Sequence, residues 1–410
     1  MGKSFAFVHS SHPCTELVLD MKKIEGYLDK AGYNKIEDVS LADLIVISTC
    51  AFDQHYEDDG VELIESVKNN MKEGAKVVVA GCLSKINPER FADACDFIPL
   101  APREMDRIEE IVPSDTPLKN ISANLVSIRE YEQNSLFMTG IRLKKLFRAL
   151  PLLEPPSWLD TVPMTDWFFV RAATGCAGTC SYCAIKRARG HVTSEPIDLV
   201  VKQISQAVKD GYKEISLAGD DLGCYGIDMD SDLPTLLTEI LKLPGDFLIN
   251  VRFIEPTWLI RYLDKLMPIF NTGRITSFCA PIQTGSQRLL DLMNRDYTIE
   301  DAVDAINTVI RKSRVRSISS NCMVGFPGET ADDFRLSYAL LESCDINMYQ
   351  VLKYAGRPDT PSEKLENKVP EELKENRRNR FLTKMKLRKF VHVPEFIAEK
   401  WTTLRHGTLR

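Results

Sequence analysis

Residues 168–183 read FFVRAATGCAGTCSYC, an apolar, strand-forming run that passes through a glycine directly into three cysteines. The run has the composition of a buried strand and Gly175 breaks it. Cys176, Cys180 and Cys183 therefore fall on a loop at a strand's carboxyl end, with the spacing C-x3-C-x2-C. With 11 cysteines in 410 residues, this triplet has roughly 0.008 expected chance occurrences in the chain. A zinc site is the competing reading, but structural zinc takes four protein ligands, often as two C-x2-C pairs, and no second pair stands nearby. Three thiolates on one loop suit a [4Fe–4S] cluster in which one iron stays open to another ligand.

Working outward, the alternation of strand and helix patterns continues downstream through KEISLAG, FLINVRFIE, ITSFCAPIQ, VRSISSNCMVGF and INMYQVLKY. Six βα units over residues 167–365 predict a partial TIM-type (βα)6 barrel, with the chemistry just after each strand, where ligands collect in parallel α/β architectures. Upstream, residues 1–110 read as strand FAFVHS, helix 16–31, strand LIVIST, helix 57–72 and strand KVVVAG, an α/β domain of flavodoxin-like parallel-sheet type. Cys14, Cys50 and Cys82 each follow a different strand of that sheet and should converge on its carboxyl edge as a second three-cysteine site. The alternative is three buried small residues. Residues 111–166, with the proline-rich PLLEPPSW, form a connector with room for a hairpin. Residues 366–410 form a basic helical tail, read as a solvated helix face, with Arg377 to Lys389 as an alternative docking surface.

Composition is that of an ordinary globular chain, 44% hydrophobic and 27% charged. No apolar run is long enough to span a bilayer and the first residues lack a signal-peptide pattern, which predicts a soluble, cytoplasmic protein with reduced cysteines. A net charge of -6 provides no general basic field for nucleic acid.

On the motifs Ser48-Thr49-Cys50, Ala80-Gly81-Cys82-Leu83, the barrel cysteine loop, RARGHVTS (187–194), LAGDDLGCY (217–225), RFIEP (252–256), PIQTGS (281–286), MNRDYT (293–298), VGFPGET (324–330) and KYAGRPDTP (353–361), the chain resembles radical S-adenosylmethionine (SAM) methylthiotransferases of the tRNA and ribosomal-protein type. The resemblance implies two [4Fe–4S] clusters and SAM. One cluster would sit on Cys176, Cys180 and Cys183, opening SAM to one-electron cleavage and a 5'-deoxyadenosyl radical. An auxiliary cluster on Cys14, Cys50 and Cys82 would bind or supply sulfur. It also implies SAM contacts from Tyr182, Gly219, Asp220, Asp221, Arg252, Glu255, Gln283, Thr284, Ser286 and the turn at Gly325, residues that otherwise read as a structural hydrogen-bond network at the barrel mouth. No general acid or base is assigned.

Two departures stand out. Around the first cysteine the family's Gly-Cys pair and following Asn are replaced by Ser11-His12-Pro13-Cys14-Thr15, with His12 either lining the cluster or capping the next helix. The small β-barrel domain that usually closes the family has too few residues after about position 385, so substrate recognition is expected to differ. The expected reaction is insertion of sulfur or a methylthio group into an unactivated C–H bond of a tRNA nucleoside, a peptide or protein side chain, or a small metabolite, with a flavodoxin or ferredoxin as electron donor. The rivals are a radical SAM rearrangement without sulfur transfer, and an iron–sulfur scaffold or sensor. Cys224 is a candidate sulfur-handling thiol; Cys95, Cys279, Cys322 and Cys344 read as buried residues.

Overall fold

The computed structural model describes residues 3–10, 14–92, 97–122, 167–344, 346 and 348–385. In the N-terminal part, strands β1 (Ser4–His9), β2 (Asn34–Lys35), β3 (Leu44–Thr49), β4 (Lys76–Gly81) and β5 (Ile98–Leu100) form one sheet in the order β2-β1-β3-β4-β5. Every pairing is parallel, the flavodoxin-like order. β3 is buried at all six positions because helices cover both faces. Its alternate residues divide accordingly. Leu44 and Val46 pack with Leu17, Ile24 and Leu28 of helix α1 (Thr15–Lys30), while Ile45 and Ile47 pack with Ile64 and Val67 of helix α2 (Gln54–Asn70). α2 starts three residues before the sequence pattern suggests, because the Asp53 carboxylate accepts from Tyr56 N at 3.2 Å and caps it.

The second sheet holds β6 (Trp167–Arg171), β9 (Glu214–Ala218), β10 (Leu248–Phe253), β11 (Ile275–Cys279), β12 (Ser317–Val324) and β13 (Met348–Lys353), all parallel and adjacent in that order. Six parallel strands in sequence order are the expected partial barrel. Two short strands, β7 (Ala173–Thr174) and β8 (Thr193–Ser194), pair antiparallel and so close the base of the loop that carries the three barrel cysteines.

Two boundaries differ from the sequence reading. Val112 and Leu118 are buried in the N-terminal core with Tyr27 and Phe5, so the first dozen residues of the expected connector belong to that domain; their apolar side chains have a sheet to cover. The helix over 371–385 packs on the barrel through Phe381, so the expected tail begins as a barrel element. Arg377 there is 2.6 Å from Glu329 and Lys384 is 2.6 Å from Glu342, so these two cations are paired with barrel carboxylates. The expected hairpin, His12, Cys95 and the tail beyond 385 lie outside the described residues. Among the described residues no helix is long and apolar enough to cross a membrane.

Candidate functional site

The N-terminal cysteines meet because of strand register. β3 and β4 are paired through Thr49 and Gly81, so Cys50 and Cys82 are the next residues on adjacent strands, with Cys82 N donating to Thr49 O at 3.2 Å. Gly81 is obligatory: at φ +114° a Cβ would lie 2.1 Å from Thr49 O. Cys14, one loop beyond β1, is the N-cap of α1 and its sulfur accepts from Leu17 N at 3.4 Å. The neighbouring Cys50 thiol holds the Cys14 thiol down to about 6 against burial, while the same neighbour and burial push Cys50 up. Burial pushes Cys82 up to about 12. Cys50 and Cys82 are buried and Cys14 is the open member.

The barrel triplet sits on the loop between β7 and helix α5 (Ile185–Arg189), a fifth helix after the short α3 (Leu83–Ile86) and α4 (Ile108–Ile111). Gly175, at φ +77°, turns the loop where a Cβ would come within 2.3 Å of His191 O. Its N–H is held by Asp220 Oδ2 at 2.7 Å. Gly178 N donates to Cys176 Sγ at 3.2 Å, and a Cβ on Gly178 would touch both Cys176 Sγ at 3.3 Å and Cys180 Sγ at 3.8 Å. A loop that turns its bare backbone on two thiols fits an iron–sulfur cluster, whose sulfurs accept such N–H bonds. Arg295, 5% exposed, donates to Cys180 Sγ at 3.3 Å and Tyr182 Oη at 3.4 Å, and pairs with Glu255 at 3.1 Å.

Cys224 lies closer than sequence suggested. It shares with Cys176 and Asp221 a group whose ligand atoms are all within 4.8 Å of one another. The Cys224 thiol donates to Asp221 O at 3.1 Å, and its closeness to the Cys176 sulfur holds the Cys176 thiol below its ordinary value against the effect of burial. Burial, with the Glu255 charge adding to it, pushes the Asp221 carboxyl up to about 7.

The segments that carry the two cysteine sites meet at a helix contact. α3 begins at Leu83, right after Cys82, and α5 follows Cys183; Leu83, Ile86 and Cys82 pack with Ala184 and Ala188 in one apolar cluster. Beside it runs a buried charge network that sequence reasoning missed. Asp20, 1% exposed, accepts from Arg171 Nη2 at 2.7 Å and Arg189 Nη2 at 2.9 Å. Arg171 Nε is 3.3 Å from Glu16 and Arg189 Nε is 3.4 Å from Asp220. Burial pushes Glu16 up to about 7 against the pull of Arg171. The available signal was Glu16 and Asp20 at a spacing of four on the helix that Cys14 opens.

The expected SAM contacts fall at the barrel mouth in three groups. Asp220, Asp221 and Glu255 adjoin the cysteine loop: Asp221 Oδ1 accepts from Gly223 N at 3.0 Å and Glu255 N at 3.2 Å. Gln283 is held at φ +73° with its Oε1 buried and unpartnered, a strained, open acceptor of the kind found at ligand sites. Tyr182 packs with Phe326, Met323 and Tyr354. Gly219 backs onto Leu222, whose Cδ2 would lie 2.8 Å from a Cβ there, and Gly325 faces Lys374. Ser286 bonds Asp333 at 2.5 Å and Thr284 bonds Ser337 at 2.8 Å, so these two are engaged within the protein, while Arg252 lies 5.5 Å from the Phe253 ring centre.

Comparison with known proteins gives a consistent picture. Residues 170–341 match the Radical SAM superfamily and residues 7–99 match Uncharacterized protein family UPF0004. A probable threonylcarbamoyladenosine tRNA methylthiotransferase of Pyrococcus abyssi is 29% identical over 97% of this chain and 88% of its own length. The Homo sapiens threonylcarbamoyladenosine tRNA methylthiotransferase is 29% identical over 89% of this chain and 59% of its own. Among solved structures, the radical SAM methyltransferase TsrM of Kitasatospora setae, with cobalamin and a [4Fe–4S] cluster bound, shares the fold at TM-score 0.60 and 14% identity, over 88% of this chain and 77% of that one.

Proposed function

Because the chain is an enzyme of the radical SAM superfamily, in its tRNA methylthiotransferase-like branch, we propose that it holds two [4Fe–4S] clusters with SAM and inserts a sulfur or methylthio group into an unactivated C–H bond of a tRNA nucleoside. The observation that carries this reading is the contact between α3 and α5, which brings the helix after Cys82 against the helix after Cys183. That contact supports a shared location for two cysteine triads that come from separate sheets. The names of the relatives support the tRNA substrate.

When bound at Cys176, Cys180 and Cys183, a cluster with SAM supplies one-electron C–S bond cleavage and with it the power to abstract hydrogen from carbon. This chain's residues hold and shield that site. Asp220 fixes the loop through Gly175 N–H, and Arg295 steadies Cys180 while its own charge is met by Glu255. Gln283 offers its open Oε1 to the donors of SAM; Tyr182, Gly219, Asp221, Arg252 and Gly325 complete the proposed contacts, with Ser286 acting through Asp333. Burial of Tyr182 against Phe326 and Tyr354 keeps water from that wall. A flavodoxin or ferredoxin serves as electron donor.

The test is anaerobic reconstitution of the wild type and two triple Cys→Ala variants, one per triad, with iron and sulfide counts, 5'-deoxyadenosine release and the mass of tRNA nucleosides. About eight irons, falling to about four in each variant, are expected from three thiolates per site. SAM cleavage should be lost only without Cys176, Cys180 and Cys183, and the product should gain sulfur. A wild type with about four irons that ignores loss of Cys14, Cys50 and Cys82 would sink the proposal.

A further inference from the structure

Arg189 is bonded to one carboxylate from each of the two segments that carry the cysteine sites. Its side chain is 1% exposed. Nη2 donates to Asp20 on α1, the helix that Cys14 caps, and Nε is paired with Asp220, which holds Gly175 N–H in the barrel loop. Its remaining group, Nη1, is buried with no hydrogen-bond partner. A desolvated guanidinium N–H left without an acceptor is a state that folded proteins resolve with a ligand, an ion or a water. Cys82 shares one apolar cluster with Ala188, the residue before Arg189, so the N-terminal triad and this guanidinium lie on the same side of the helix contact. Electron-rich sulfur is the acceptor that the N-terminal triad would place beside it.

We propose that Arg189 is a positioning residue of the N-terminal site, donating Nη1–H to an anionic sulfur of the group held by Cys14, Cys50 and Cys82 while Asp20 and Asp220 fix it from the two domains. The assignment rests on the two-cluster reading above. Hydrogen bonds and positive charge at cluster sulfurs stabilise the reduced state, so this contact raises the reduction potential of the N-terminal cluster. Arg171 shares Asp20 but adjoins Glu16 instead of the triad, which makes it the internal control.

The experiment uses the full chain with Cys176, Cys180 and Cys183 replaced by Ala, so that only the N-terminal site takes iron. Arg189→Lys, Arg189→Met and Arg171→Met are added to it singly, and each protein is reconstituted and titrated redox-potentiometrically by electron paramagnetic resonance. The expected order of potential is parent, then Arg189→Lys, then Arg189→Met, because Lys keeps the charge but not the forked geometry. Arg171→Met should stay at the parent value. Arg189→Lys guards against a Met variant that fails to fold, since its potential alone must move. Equal potentials in parent and both Arg189 variants, or the same shift in Arg171→Met, overturn the assignment and leave Nη1 to a water. A parent that binds no iron overturns the two-cluster reading and this inference with it.

Discussion

Asp20→Asn tests whether the interface between the two domains is held by its buried charges. Asp20 is 1% exposed and its two oxygens lie 2.7 Å from Arg171 Nη2 and 2.9 Å from Arg189 Nη2. Asparagine keeps the shape, removes the charge and turns an amide NH2 on one of the guanidiniums, donor against donor. Removing one partner of a buried ion pair costs ~3–5 kcal/mol. Both arginines retain a second carboxylate, Glu16 or Asp220, so the lower end, about 3 kcal/mol, is expected. That is a large part of the ~5–15 kcal/mol by which a domain is stable. At a urea dependence of about 3 kcal/mol per molar, suited to a chain of this size, the midpoint should fall by roughly 1 M. The assay is urea unfolding of the reduced, cluster-free protein by circular dichroism, beside Lys353→Ala, which removes a half-exposed pairing with Glu371 and Glu375 worth ~0–1 kcal/mol. Because the pair bridges domains, Asp20→Asn should also split one transition into two. A shift no larger than that of Lys353→Ala refutes the reasoning.

Three other outcomes follow from single contacts. Gly81→Ala places a Cβ against Thr49 O at a backbone angle costing ~1–3 kcal/mol for other residues; it should empty the N-terminal site of iron while the barrel site loads normally, and normal loading of both would count against the geometry. Burial raises the Asp333 carboxyl, but bonds from Arg288, Ser286 and Thr330 outweigh it and hold it well below the usual range. Its stabilisation is therefore complete above the unfolded value of about 4 and is lost as pH falls through the lower folded value. Asp333→Asn should lower Tm by a constant amount above pH ~5 and flatten the acid decline; parallel curves down to low pH would exclude the linkage. In cluster-free protein, glutathione disulfide should convert Cys176 and Cys224, whose sulfurs lie within 4.8 Å, to a disulfide by accepting their two electrons and two protons, and iron loading should prevent it. Peptide mapping that finds glutathione on both residues without a crosslink would contradict this.

The strand pattern made the two sheets legible, because buried parallel strands such as LIVIST announce themselves as continuous β-branched runs. The placement of the barrel cysteines on a strand-end loop was legible from spacing, and that of the N-terminal cysteines at one sheet edge from topology, since three strands of one parallel sheet must end on one edge. What stayed hidden was everything that depends on two distant segments meeting. Arg171 and Asp20 are 151 positions apart and Arg189 and Asp20 are 169 apart; nothing local marks either arginine as a partner for that helix. Arg295 was similarly silent, 115 positions from the Cys180 sulfur it contacts. The shortened connector and the docked 371–385 helix share a cause: amphipathic segments read as linker or solvated tail whenever the surface they cover lies elsewhere in the chain.

The interface ties together the segments that follow Cys82 and Cys183. α5 and its N-cap present Ala188 and Ala184, four apart and small, to Leu83 and Ile86 of α3, and small residues at a helix spacing let two helices approach closely. Larger side chains at those two positions would push Cys183 away from Cys82. The charges of Glu16, Asp20, Arg171, Arg189 and Asp220 then surround this contact in an alternating set, each carboxylate facing at least one guanidinium. An apolar contact alone tolerates sliding, whereas hydrogen-bonded ions in low dielectric are met only at one register. A helix pair locked by buried ions fixes the separation of the two segments, which the proposed sulfur transfer would require, at the cost of stability that a purely apolar interface would have kept.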